Sequence, residues 1–289
     1  SAEGWGHVAG GMVSSSVRIR AILCLRHLGP SPRAAAAGTI TLAASRLFNV
    51  SGGTLDLTTG LLDGPMGTLA TNGTTLLFTM ATARARFSLV ATTIPGTVTI
   101  PAGDSLVVVG GSIDSPVVID GLLITQDVVT LSGSVSNPGT LRVRGSSAYG
   151  TGALTITTGF TNAGAIELTN IDGGYIATLT VTTGTLVNGA TGTITAVAGL
   201  GGTRTITAAV LENLGVITLN AATTLSAVLD QRSTLTVAAA LALARADAAH
   251  VNSGTITVTS LGTLTVTQTG TSPSFTNAAA GTITLAASR

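Results

Sequence analysis

Lysine is missing from this chain, and all 13 basic residues are Arg. They face 12 acids, so charged residues make up only 9% of the sequence. From residue 47 onward eight Arg stand against eleven Asp and Glu, a balance that argues against phosphate-backbone contacts and so against nucleic acid as a partner. A single cysteine, Cys24, excludes an internal disulfide framework. Aromatic residues at 3% exclude a bulky globular core. The longest predominantly apolar run, Leu235 to Ala244, is too short to cross a bilayer, so no membrane span is expected in this segment. Amphipathic helices of crossover length are also missing, which removes the doubly wound α/β folds.

What the chain has is Gly, 37 residues of it, and a short phrase that returns. The phrase runs Gly, a small residue, Ile or Leu, any residue, then Leu or Val. It stands at Gly38-Thr39-Ile40-Thr41-Leu42, Gly53-Thr54-Leu55-Asp56-Leu57, Gly139-Thr140-Leu141-Arg142-Val143 and Gly164-Ala165-Ile166-Glu167-Leu168. Later copies centre on Ile194, Ile217, Ile256 and Ile283. Most copies follow an apolar residue and Asn, at Asn49, Asn137, Asn162, Asn188, Asn213, Asn252 and Asn277. Many of these asparagines fall roughly 25 residues apart, the scale of a solenoid unit, and the longer gap from Asn213 to Asn252 conceals a degenerate unit.

Within each unit apolar residues alternate with polar ones, as in Ile256 and Val258, which is the pattern of a strand with one buried face. Two short strands per unit, such as Ala177 to Thr182 and Thr193 to Val197, cannot bury a face alone and must stack on their neighbours. The expected fold is all-β: a single-stranded, right-handed parallel β-helix over residues 34–289, with roughly 25-residue coils and ~10 rungs at ~4.8 Å, a rod of roughly 50 Å. Ile40, Leu55, Leu141, Ile166, Ile194, Ile217, Ile256 and Ile283 are expected to point inward and stack as an aliphatic ladder. The asparagines are expected at a corner, where Asn tolerates a left-handed conformation and its amide can bond to the Asn of the next rung.

These Asn-x-Gly-Thr-Ile phrases resemble those of bacterial surface β-solenoids, including autotransporter passenger domains and filamentous haemagglutinin-like adhesins. The resemblance covers residue 34 to the end. It implies a non-enzymatic stalk or adhesive scaffold, extracellular or on the bacterial cell surface, with glycans and host or abiotic surfaces as partners and with no cofactor or metal. Uncapped terminal rungs would also permit end-to-end self-association.

Residues 1–33 stand outside the pattern. They hold Trp5, Cys24, His7, His27 and four Arg against the single acid Glu3. Either they cap the first rung, or they are translated from a wrong frame or start. At the other end, Ala278 to Arg289 repeats Ala35 to Arg46 residue for residue, which suggests that the natural protein continues past Arg289.

Two other functions start from particular residues. Carbohydrate-active β-helix enzymes need paired or clustered carboxylates, and the densest acidic group here is Asp114, Asp120 and Asp127. Their Asp-Ser-Pro and Asp-Gly contexts favour turns. His250 occupies the place of Phe160, Leu186, Leu211 and Phe275 in other copies, so it is expected as a partly buried corner residue. Cys24, His27 and His7 fall short of the four ligands of structural zinc. Gly199-Leu200-Gly201-Gly202 lacks the Lys of a phosphate loop. Lastly, Thr-x-Thr strands such as Thr193/Thr195, Thr255/Thr257 and Thr282/Thr284 suit an ice-binding face. Asp56, Arg142 and Glu167 are expected to interrupt it in the same outward positions.

Overall fold

The computed structural model describes residues 33–35, 38–267 and 269–287. Apart from Arg33, the atypical segment 1–33 lies outside the described residues. Alternation sets the local structure: in Thr193–Ala196 the side chains of Ile194 and Ala196 are buried while those of Thr193 and Thr195 face out. Such strands pair in parallel with the counterpart one turn away. The described residues contain no helix and wind into a β-solenoid of about 11 turns, with about 21 residues per turn.

Each complete turn in the second half of the rod has three sides rather than the two strands expected. The first face stacks Thr140–Gly145, Ala165–Asn170, Thr193–Ala196, Val216–Leu219, Thr234–Val237, Thr255–Val258 and Thr282–Leu285. Long strands such as Arg204–Asn213 and Thr223–Gln231 supply the other two faces and bend between them. Thr223–Gln231 shows the bend directly. Its start pairs with Ala240–Leu243 and its end with the separate strand Ala249–Asn252. The register shift between Thr207 and Val210 marks the same corner one turn earlier.

Inside the coil like residues stack on like. Leu123, Leu141, Ile166, Ile194, Ile217, Leu235, Ile256 and Ile283 lie in register on the first face. All are buried except Ile283, on the last described rung, which is 38% exposed. Leu235 fills the gap between Asn213 and Asn252, so the concealed unit is a full turn. Two inward residues lie elsewhere. Ile40 is buried opposite Leu62, and Leu55 is buried in a separate three-stranded sheet, opposite Leu76.

Coil length departs from the sequence expectation. Steps of 25 and 26 residues separate the bonded Asn137, Asn162 and Asn188, but only 18 separate Asn213 from its counterpart Gln231. The Asn phrase marks mainly the longer turns, because both corner loops and strands vary in length, the strands from the 12 residues of Ala177–Asn188 to the 9 of Thr223–Gln231.

From Gly139 onward the Gly that opens the phrase has a steric cause, whereas Gly53 takes a left-handed φ of 66°. A Cβ at Gly164 would collide with the carbonyl oxygen of Gly139, and one at Gly215 with that of Gly192. Glycine is required there by the close approach of successive rungs, not by a left-handed backbone.

Replacing Ile194 by Ala should cost ~2–5 kcal/mol, since the cavity lies between filled rungs, while Ile283→Ala should cost well under half of that. Urea titration of both variants checks the ranking; equal midpoints would show that Ile194 does not sit in a closed core. Ile194→Asp should be more damaging still, because it buries an unpaired charge.

Candidate functional site

The buried polar residues form a ladder along one corner. Nδ2 of Asn137 donates to Oδ1 of Asn162 at 2.7 Å, Asn162 to Asn188 at 2.8 Å, and Asn188 to Asn213 at 2.8 Å. Asn213 donates to Oε1 of Gln231 at 2.8 Å. Each amide has a second acceptor in the first residue of the next rung's first-face strand, as in Asn188 to the Val216 carbonyl at 3.2 Å. Gln231 breaks the run. Its longer side chain turns to the Thr255 carbonyl, and Oδ1 of the stacked Asn252 has no donor. A second run, Asn252 to Asn277 at 2.6 Å, follows.

Two expectations about these asparagines fail. None of them has a positive φ; all but Asn49 end extended strands or follow them, and among the described residues the left-handed non-glycine positions are Ser45, Ala91, Asp127 and Asp247. Asn49 is not at the ladder corner. It is exposed within Leu47–Ser51, opposite Ala70, with no Asn on the neighbouring turn to bond. Asn277 is exposed because no described rung follows it.

A buried cation escaped the sequence reading. Arg204 is 0% exposed and points inward at a corner, in register with Ala177 and Thr223. No acid answers it. Its guanidinium donates to the carbonyls of Leu168, Val197, Gly202, Gly201 and Tyr175 at 3.1–3.5 Å. Burial depresses its pKa from the usual Arg value. Five carbonyls substitute for hydration, and the Gly-rich turn at 199–202 is what brings two of them inward.

His250 is 1% exposed, deeper than expected, and stacks in register on Phe275. Its Nδ1 accepts the Leu229 amide at 3.0 Å, so the ring is held neutral, and burial lowers its pKa. That contact makes it structural.

The three acids picked from the sequence are all exposed and do not converge. Asp114 accepts from the Ser132 hydroxyl at 2.6 Å, and Asp127 sits in a left-handed bulge. Among the described residues no three of His, Cys, Asp and Glu are placed to hold a metal ion. Cys24, His27 and His7 lie outside the described residues.

The outward side of the first face is the most regular surface. Thr195, Thr218, Thr236, Thr257 and Thr284 stand in register on five successive turns. Beside them run Thr193, Val216, Thr234, Thr255 and Thr282. The charges expected to interrupt this array do not. Arg142 and Glu167 occupy the two preceding rungs of the same column, and Asp56 is 7% exposed in the separate sheet, where it accepts from Thr58.

Set against known proteins, the chain matches no family model, no curated protein and no solved structure. The functional reading therefore rests on the ladders and faces themselves.

Asn188→Ala should cost more than Asn277→Ala by ~1–3 kcal/mol, because it leaves one N–H of Asn162 and the Oδ1 of Asn213 without partners inside the corner; denaturant midpoints of the two variants decide this. His250 gives a pH signature. Its folded pKa lies below the unfolded value, so the unfolded chain binds the proton more readily and stability falls as pH drops below ~6.5. His250→Phe should flatten that slope, read as thermal midpoint against pH; an unchanged slope would place the ring in water.

Proposed function

We propose that this chain is a non-enzymatic structural rod, a stalk or adhesive scaffold acting outside the cell or at its surface. The observation that carries the reading is the use of its polar interior. The Asn ladder, Arg204 and His250 bond to backbone or to one another along the rod, and none is aimed into an open cleft. Such a ladder stiffens a spacer and leaves the outer faces to make weak, repeated contacts with glycans or surfaces, where many copies multiply affinity. Among the described residues the one pair of acids in register on adjacent turns, Glu212 and Asp230, is bridged by Arg232, and the three acids Asp114, Asp120 and Asp127 do not converge, a poor basis for a pair of catalytic carboxylates.

Incubation with neutral and acidic polysaccharides should release no new reducing ends, while beads densely coated with the chain should be retained on a polysaccharide film that a single chain leaves on washing. Release of reducing ends would establish the enzymatic alternative and remove this reading.

One observation favours a second reading, ice binding. Nine of the ten positions in the double column above are Thr, spaced ~4.8 Å between strands and ~6.6–6.8 Å along them, close to repeat distances of the ice lattice. Under that reading, ice crystals grown with the chain become faceted, and Thr236→Glu abolishes the effect. Round, unmodified crystals with the parent chain would eliminate it.

A further inference from the structure

Both tyrosines of this sequence lie in loops next to the charged turns of the first face. The loop that follows Thr140–Gly145 carries Tyr149, whose hydroxyl meets Arg86, and the equivalent loop one turn on carries Tyr175, the other tyrosine of the chain. The two loops are tied together: the amide and hydroxyl of Ser147 both bond to Asp172. Beside them lies an open trough of about 290 Å³, lined by Arg142, Arg144, Glu167, Thr169, Val197 and, from the second loop, Ile171.

Three guanidinium groups crowd here with one carboxylate. Arg142 Nε bonds to Glu167 at 2.5 Å, and its two terminal nitrogens have no partner among the described residues. Arg144 donates from Nη2 to Oε1 of the buried Gln126 at 2.8 Å, and Gln126 is fixed in turn by the Ser146 hydroxyl at 3.1 Å. Nε of Arg144 is buried without a partner. Arg86 donates to the Tyr149 hydroxyl at 2.9 Å, with its guanidinium carbon 5.6 Å from the ring centre. Glu167 is the only carboxylate within ion-pair distance of any of the three among the described residues. The pKa of Arg144 is pushed down by burial and then by the neighbouring charges of Arg142 and Arg86. Packing does not demand this: the same outward column carries neutral Thr for the next five turns.

We propose that this trough binds an acidic sugar unit of a polysaccharide, its carboxylate received by the free guanidinium nitrogens of Arg142 and Arg144. A planar guanidinium fork matches a carboxylate with two parallel bonds. Arg144 is pre-oriented by Gln126, which lowers the ordering cost of such a contact. Glu167 and Thr169 supply bonds for sugar hydroxyls, and Ile171 and Val197 supply apolar surface for the ring. The trough opens onto the Thr rows, so a polymer bound by one acidic unit can continue along hydroxyl-bearing sheet. This inference rests on the scaffold reading and names its ligand class.

The test is calorimetric titration of the whole chain with trigalacturonate and with its methyl ester. The acid should bind and the ester bind at least ~10-fold more weakly; Arg142→Gln should cost about as much. Glu167→Gln is the sharper variant. It releases Arg142 from its internal carboxylate and should tighten binding several-fold, whereas a merely structural ion pair would leave affinity unchanged or reduced. Circular dichroism confirms that each variant is folded. No binding of the acid by the parent chain, equal binding of the ester, or unchanged or weakened binding by folded Glu167→Gln overturns the site and leaves the scaffold reading standing. Cleavage of the trisaccharide overturns the scaffold reading and leaves the site.

Discussion

Everything in this rod depends on parallel pairing between consecutive turns. With strands ~4.8 Å apart, a residue's nearest neighbours above and below are its own counterparts one turn away. Leu and Ile therefore meet Leu and Ile for eight turns, and glycine recurs where carbonyls of adjacent rungs come too close for a Cβ. The same stacking lets a side-chain amide repeat. An Asn at one corner offers its acceptor to the rung before and its donor to the rung after, so the bonds run in one sense along the axis. A polar group that would be costly in isolation becomes part of the core once it is repeated in register.

Much of this was legible in the sequence, and the failures share a cause. Alternation around Ile194 or Ile256 shows which residues face inward, since a strand in a coil has only two faces. What a single phrase cannot show is what lies next to it. The identical twelve residues ending at Arg46 and Arg289 make the point: Ile40 is 1% exposed, while Ile283, the same residue in the same phrase, faces partly into solvent. Asn49 precedes a Gly-Thr-Leu phrase like the other asparagines but stands opposite Ala70, so no ladder forms. Turns such as the one containing Gln231 lack the Asn that would have marked them. Arg204 was invisible because Arg is read as a surface residue, and only the neighbouring Gly-rich turn hints at carbonyls free to receive it.

The candidate surfaces were harder still, because their meaning lies in columns that run across the sequence. Arg142, Glu167 and Asp56 read as three scattered interruptions of a Thr pattern. Assembled, two of them share one end of a column and the third belongs to another sheet. The first face thus passes from charged turns beside the Tyr149 and Tyr175 loops to a neutral run of open threonines. A single sheet, unchanged in backbone, presents two chemistries in series.

The interruption at Gln231 has a mechanical consequence. On either side of it the amides form closed runs, but between this turn and the next the corner has no amide-to-amide bond, and Asn252 is left with an empty acceptor. A rod loaded from its ends does not give way at its average strength but at its weakest seam. Within the amide ladder the step from Gln231 to Asn252 is such a seam, set by one extra methylene that divides the ladder into two lengths.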